Sequence, residues 1–210
     1  MRARIFLADD HTLLLDAFSK LLESKYDIVG TATDGRMMLK MVAKLTPDLV
    51  LMDIAMPNLN GFAAGEKLKK MLPDVKLVFL TVNEDADMVT EAFRIGANGY
   101  LLKSSASSEL FEAIEAVLNS KNYVSPQLAE SMAGAYIKNP GGQKVHGELS
   151  LRQREVLQLL AEGHTMKQVA AILSITPRTV AFHKYQIMET LDVKTNSELI
   201  QYAVKNGMVA

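Results

Sequence analysis

Leu49-Val50-Leu51-Met52-Asp53-Ile54-Ala55-Met56-Pro57 is an apolar run that ends in one carboxylate and passes into a loop with proline. Four successive apolar residues without polar alternation mark a strand buried on both faces, the kind found in a parallel sheet covered by helices. The strand's end meets solvent at the sheet edge, and a single acid, Asp53, is held there.

Four similar runs surround this one in the first 120 residues: Arg4-Ile5-Phe6-Leu7-Ala8, Asp27-Ile28-Val29-Gly30-Thr31, Lys76-Leu77-Val78-Phe79-Leu80-Thr81 and Gly99-Tyr100-Leu101-Leu102. Between them the apolar period becomes helical. Leu14, Ala17, Phe18, Leu21 and Leu22 form one stripe, and Met37, Met38, Met41, Val42 and Leu45 another. Leu68 with Leu72, Val89 with Ala92 and Phe93, and Leu110 with Ile114, Val117 and Leu118 supply three more. Strand and helix repeating five times predict an α/β domain, a flavodoxin-like (βα)5 unit with parallel sheet order 2-1-3-4-5.

Such sheets bind ligands beyond their strands' carboxyl ends, and this chain places its acids there. Asp9-Asp10 closes the first strand and Asp53 the third; Thr81 closes the fourth, and Lys103 follows the fifth. Taken alone, Asp9-Asp10 also suits an N-cap for the helix from His11. In the predicted strand order, however, the first and third strands are neighbours and the three acids converge. Two carboxylates 4 Å apart repel by about 4 kcal/mol at an effective dielectric near 20, so three require a counter-charge. Mg2+ suits a pocket with several carboxylates and no thiolate. Thr81 and Lys103 then face a phosphoryl group, and Asp53 is the candidate nucleophile.

The 210 residues carry a net charge of −1, which conceals an asymmetry. Residues 1–120 hold 13 Lys/Arg against 17 Asp/Glu, a net −4, while residues 121–210 hold 10 against 7, a net +3. An acidic front and a mildly basic back fit two domains with different partners, the second a polyanion. Zero cysteines excludes disulfides and thiolate chemistry. No apolar run approaches the roughly 18 residues of a membrane span, so a cytoplasmic protein without a membrane partner is expected.

Ser125-Pro126 starts a helix with serine at the N-cap and proline at N1, predicted to run to Ile137. Residues 139–147, with a proline and three glycines, read as a flexible tether. The expected division is residues 1–122, a linker helix and tether over 123–147, and an all-α domain of four short helices over 148–210. In the last of these, Thr176 with Pro177 starts a helix whose inner face carries Val180, Ile187, Met188 and Leu191, and Thr195 with Glu198 forms a capping box. Two helices joined by a tight turn predict a helix-turn-helix whose second helix enters the major groove of double-stranded DNA. Arg178, Phe182 and Tyr185 project from it, and Lys167, Arg178, Lys184 and Lys194 are placed to neutralise phosphates. His183 is expected to pack or to touch a phosphate.

The front motifs, Asp9-Asp10, Asp53 to Pro57 with Gly61 beyond, Thr81, and Tyr100 three before Lys103, resemble the receiver domain of bacterial two-component response regulators. The back motifs resemble the LuxR-type DNA-binding domain: Leu149 to Leu157, Ala161-Glu162-Gly163, Val169-Ala170, Arg178-Thr179-Val180 with His183, and Leu191-Asp192-Val193. Together they are the architecture of the NarL/FixJ family. The resemblance implies that Asp53 takes a phosphoryl group from a sensor histidine kinase. It implies Mg2+ on Asp10, Asp53 and the main-chain carbonyl of Ala55, with Asp9 acting through water. It further implies Thr81 and Tyr100 as the switch pair that reshapes the surface around residues 84–112. The final helix, with outward residues near Leu199, Tyr202 and Lys205, would pair two copies on a palindromic site. Val82 and Ser104 depart from the family's commoner small residue and proline, and Val82 is expected to narrow access to Asp53.

The expected protein is thus a phosphorylation-controlled, DNA-binding transcriptional regulator acting as a homodimer, and not an enzyme. Two alternatives stand beside it. One is a Mg2+-dependent phosphohydrolase resembling the haloacid dehalogenases, disfavoured by Ala55 where that superfamily has a second acid. The other is a receiver that serves only as an interaction module.

Overall fold

The computed structural model describes residues 2–82, 86–105, 107–130, 149–173 and 175–209. The predicted tether over 139–147 and the linker helix beyond residue 130 lie outside the described residues. Five strands occupy the expected positions: β1 (Arg4–Ala8), β2 (Asp27–Ala32), β3 (Leu49–Met52), β4 (Lys76–Thr81) and β5 (Gly99–Leu102). The helices between and after them are α1 (Thr12–Leu22), α2 (Gly35–Leu45), α3 (Gly61–Met71), α4 (Ala86–Arg94) and α5 (Ser107–Leu118).

The sheet is parallel in order 2-1-3-4-5, extended by a sixth strand, β6 (Tyr123–Val124), on the β5 edge. Two residues are too short for a periodic signal, which is why β6 was not foreseen. Ser125 follows it and donates to Glu109 from its hydroxyl, while residues 126–130 are helical and bury Leu128 in the core of the front domain. The packing of this domain therefore runs past residue 122, to Leu128 at least.

Alternate residues of each strand enter two cores. Phe6, Ala8, Val50, Met52, Phe79, Tyr100 and Leu102 face α2, α3 and α4. Ile5, Leu7, Leu49, Leu51, Val78, Leu80 and Leu101 face α1 and α5. Both faces are covered, which is the reason the strand sequences lack polar alternation.

Four further helices make the back domain: α6 (Leu151–Ala161), α7 (Met166–Leu173), α8 (Pro177–Thr190) and α9 (Asn196–Lys205). Local signals define their starts. Ser150 with Gln153 and Thr195 with Glu198 form reciprocal capping boxes, and Thr176 caps α8 with Pro177 at its first turn. Val156, Leu157, Val169, Val180, Ile187, Leu199 and Ala203 close the core. Leu199 is thus an inward residue and not part of an outward pairing face; the exposed apolar residues of α9 are Ile200 and Val204. The i, i+4 offset of a helix puts Leu199 and Ala203 on one stripe, and that stripe meets α6.

The back domain lies against the front one. Glu155 of α6 pairs with Lys67 of α3, and Arg154 pairs with Glu91 of α4. Burial pushes both carboxyls toward protonation, but the paired cations outweigh it and hold Glu155 and Glu91 below the usual carboxylate range. Their stabilisation is present above the ordinary carboxylate pKa and is lost only as pH falls through the depressed values.

Gly61 begins α3 directly beneath the loop after Asp53. A Cβ there would sit 2.2 Å from the Asp53 carbonyl oxygen and 2.7 Å from the Ile54 Cα, both backbone atoms that cannot swing aside. Gly61→Ala is expected to destabilise the fold by about 2 kcal/mol, read as a lowered urea midpoint with unchanged slope.

Candidate functional site

Ala8 of β1 pairs with Met52 of β3, so the next residues, Asp9 and Asp53, leave the sheet side by side. Both are buried, and the Asp53 amide donates to the Ala8 carbonyl at 2.8 Å. Thr81 pairs with Leu102 across β4 and β5, which delivers Lys103 to the same end. The Lys103 ammonium lies 2.7 Å from Asp9 Oδ2 and 2.9 Å from Asp53 Oδ2. One cation is therefore shared by two carboxylates, and the remaining Asp53 oxygen accepts from the Ile54 amide at 2.7 Å.

Burial raises the proton affinity of Asp53; Lys103 opposes this, and the Asp9 charge adds to it. Burial also disfavours the charge on Lys103, but the two carboxylates outweigh it and hold the ammonium above its ordinary range. The pocket is a short-range electrostatic lock with more negative than positive charge.

Asp10 and His11 complete the cluster. Ligand atoms of Asp9, Asp10, His11 and Asp53 all lie within 4.8 Å of one another. Asp10 Oδ1 is buried without a hydrogen bond, and His11 Nδ1 stands 2.8 Å from it. Three converging carboxylates that share a single ammonium fit a hard divalent cation. Asp9 does not cap α1 through that helix's amides; its Oδ1 takes the His11 amide at 2.9 Å and anchors the turn instead. Sequence reading passed over His11, although its place between the acid pair and α1 was the available signal.

The other front residues fall as follows. Thr81 is buried at its strand end. Tyr100 is 0% exposed, so its ring already lies in the core under α4. Val82 is 78% exposed and faces solvent, which speaks against a side chain blocking Asp53. Ser104 is exposed, and the described peptides are all trans.

On the back domain, Arg178, Phe182 and Tyr185 share the free face of α8. Phe182 is 57% and Tyr185 69% exposed, an uncommon state for large aromatics. Thr179 is half-buried, its hydroxyl 2.9 Å from that of Thr176 at the helix start. His183 and Lys184 are half-buried beside this face, and His183 Nδ1 is buried with no hydrogen bond. Lys167 and Lys194 are exposed on α7 and after α8.

Comparison with known proteins matches two segments of the chain. Residues 5–115 match the response regulator receiver domain, and residues 147–203 match the luxR family of bacterial regulatory proteins. Oxygen regulatory protein NreC of Staphylococcus carnosus is 32% identical over 214 residues, covering 98% of this chain and 99% of its own. Response regulator GacA of Pseudomonas aeruginosa is 32% identical, covering 98% and 97%. Among solved structures, a LuxR-family two-component response regulator from Aurantimonas sp. is 31% identical with a TM-score of 0.63, over 65% of this chain and 99% of that one. RcsB of Salmonella enterica serovar Typhimurium, bound to promoter rprA in the presence of the phosphomimetic BeF3−, is 25% identical with a TM-score of 0.65, covering 95% and 98%.

Removing the shared cation tests the lock. Lys103→Met leaves two facing carboxylates and is expected to cost about 3 kcal/mol at neutral pH. With Lys103 gone the Asp53 pKa in the fold, already raised by burial, rises further above the unfolded one, so the loss is full at neutral pH and shrinks as pH is lowered. Urea unfolding across a pH series reads this.

Proposed function

The chain belongs to the two-component response regulators that join a receiver domain to a LuxR-type DNA-binding domain, and from that membership we propose that Asp53 is its phosphoacceptor. It is a DNA-binding transcriptional regulator and not a turnover enzyme. Its partners are a sensor histidine kinase, double-stranded DNA and a second copy of itself. The observation that carries the site assignment is the Asp53 carboxylate held beside Asp9 at adjoining strand ends, with Lys103 bridging the pair.

An Asp53 oxygen attacks the phosphorus of the kinase's phosphohistidine; the P–O bond forms as the P–N bond breaks, and the imidazole leaves. Lys103 follows the charge from the carboxylates to the phosphoryl oxygens. Asp10, Asp53 and the Ala55 carbonyl would hold Mg2+, with Asp9 through water. When bound, the ion neutralises carboxylate and phosphoryl charge that one ammonium cannot balance. Thr81, at the end of β4, is placed to donate its hydroxyl to the new group. Tyr100, packed under α4, transmits that shift to the surface where the DNA-binding domain rests.

In the DNA-binding domain, α8 reads the major groove. Arg178 makes the polar base contact, and Phe182 and Tyr185 make apolar ones, which accounts for their exposure. Thr179, His183, Lys184, Lys167 and Lys194 hold the phosphates. Ile200 and Val204 of α9 supply the apolar pairing face between two copies. No helix among the described residues is long and apolar enough to cross a membrane, and we assign the protein to the cytoplasm.

Mg2+ with beryllofluoride is expected to raise DNA affinity and the dimer fraction, measured by fluorescence anisotropy and light scattering, with no response from Asp53→Asn. A wild type that ignores beryllofluoride would favour the interaction-module alternative. Arg178→Ala is expected to weaken specific binding by about 1–3 kcal/mol, and wild-type affinity to fall steeply between low and moderate salt.

A further inference from the structure

Gln158 lies in the second half of α6, and it is 0% exposed. It takes no part in the apolar core of its own domain. Its Oε1 accepts from the Asn60 amide at 2.7 Å, and its Nε2 donates to the Met56 carbonyl at 2.8 Å. Both partners belong to the loop that follows Asp53 in the receiver. The same Nε2 donates to Glu162 Oε1 at 2.6 Å, one turn later on the helix. A single side-chain amide thus closes a bidentate bridge across the domain boundary.

What the bridge holds is the backbone on either side of the acid pocket's lip. Ile54, after Asp53, is already pinned, its carbonyl taking the amides of Met56 and Gly61. Gln158 pins Met56 and Asn60 in addition. Ala55 lies between these fixed points. Beside them opens a cleft of about 400 Å³ lined by Asp10, Ala55 and Pro57 from the receiver and by Ala161, Glu162 and Val204 from the DNA-binding domain. The ion pairs Lys67–Glu155 and Arg154–Glu91 anchor to helices α3 and α4, away from this loop. Among the described residues, Gln158 hydrogen-bonds the phosphorylation loop at both ends, and Glu162, which Gln158 holds, accepts from the Asn58 amide between them.

We propose that Gln158 is the positioning residue that couples the two domains: its amide holds the loop after Asp53 in the docked form, so docking and occupancy of the Asp53 pocket oppose one another. The inference rests on Asp53 being the phosphoacceptor whose loading releases the DNA-binding domain. A bound group shifts a two-state equilibrium only by its unequal affinity for the two states, and the effect is reciprocal. If loading loosens docking, docking must weaken loading, and beside the route through α4 a contact on the loaded loop itself is the most direct carrier of the difference. Gln158 makes such a contact. The docked arrangement leaves Phe182 and Tyr185 of α8 exposed. It sets Gly207, just after α9, against Met88 of α4, so what docking restrains is the end of the pairing helix and not the reading face.

The test uses full-length wild type, Gln158→Ala and Gln158→Glu. The glutamate nearly keeps the shape of the side chain but lacks the amide's two donors toward the Met56 carbonyl and Glu162, so it serves if the alanine variant fails to fold. Each is titrated with beryllofluoride at fixed Mg2+. Occupancy is followed by fluorine NMR, and the domain separation by spin labels on cysteines introduced at Lys20 and Gln201 of the cysteine-free chain. In wild type, loading is expected to widen the separation. In both variants the separation is expected to be wide before loading, and the half-loading concentration to fall at least about fivefold. A purely structural role for Gln158 would leave loading unchanged or weaken it, and either result overturns the inference while a wild-type response upholds the phosphoacceptor reading. A wild type that takes up no beryllofluoride overturns both.

Discussion

The ammonium of Lys103, shared between Asp9 and Asp53, is the contact on which the rest of this molecule depends. Burying two carboxylates side by side is unfavourable, and a single cation brought by a third strand makes it tolerable. The arrangement exists because β1 and β3 are neighbours in the sheet and β5 ends at the same level. Every part of the fold that fixes those strand ends, from the two apolar cores to the glycine at the start of α3, serves that geometry. The residual excess of negative charge is what suits the pocket to a divalent cation.

The second constraint is the seam between domains. On α6 the five successive residues from Glu155 to Leu159 are all buried, which a helix packed on one core cannot achieve. The apolar members face the helix-turn-helix core, and Glu155 and Gln158 face the receiver. Polar groups buried at a seam hold it only while every partner is in place, so such a seam is specific and readily released. That property suits a joint that can be released without unfolding either domain.

Much of this was legible in the sequence. The strands showed as apolar runs because both sheet faces are covered, and the acids at their ends stood out because they interrupt those runs. Helix starts at Thr176 and Thr195 were visible because capping is local chemistry between residues three apart. The exposed face of α8 showed as Phe182 and Tyr185 lying off its inner stripe. Less legible were β6, too short to carry a period, and the burial of Leu199, which an outward assignment of α9 had reversed.

By itself, then, the sequence determined the fold of each domain and the identities of the charges at the strand ends, because period, capping and turn chemistry act over a few residues. Only the tertiary structure decided how those charges are shared, that the Tyr100 ring lies inward, and that Gln158 reaches a loop 98 and 102 residues away in the chain. A glutamine in the middle of an amphipathic helix carries no local mark of its partner. Its role depends on the packing of two separately folded domains, which no spacing within either one encodes.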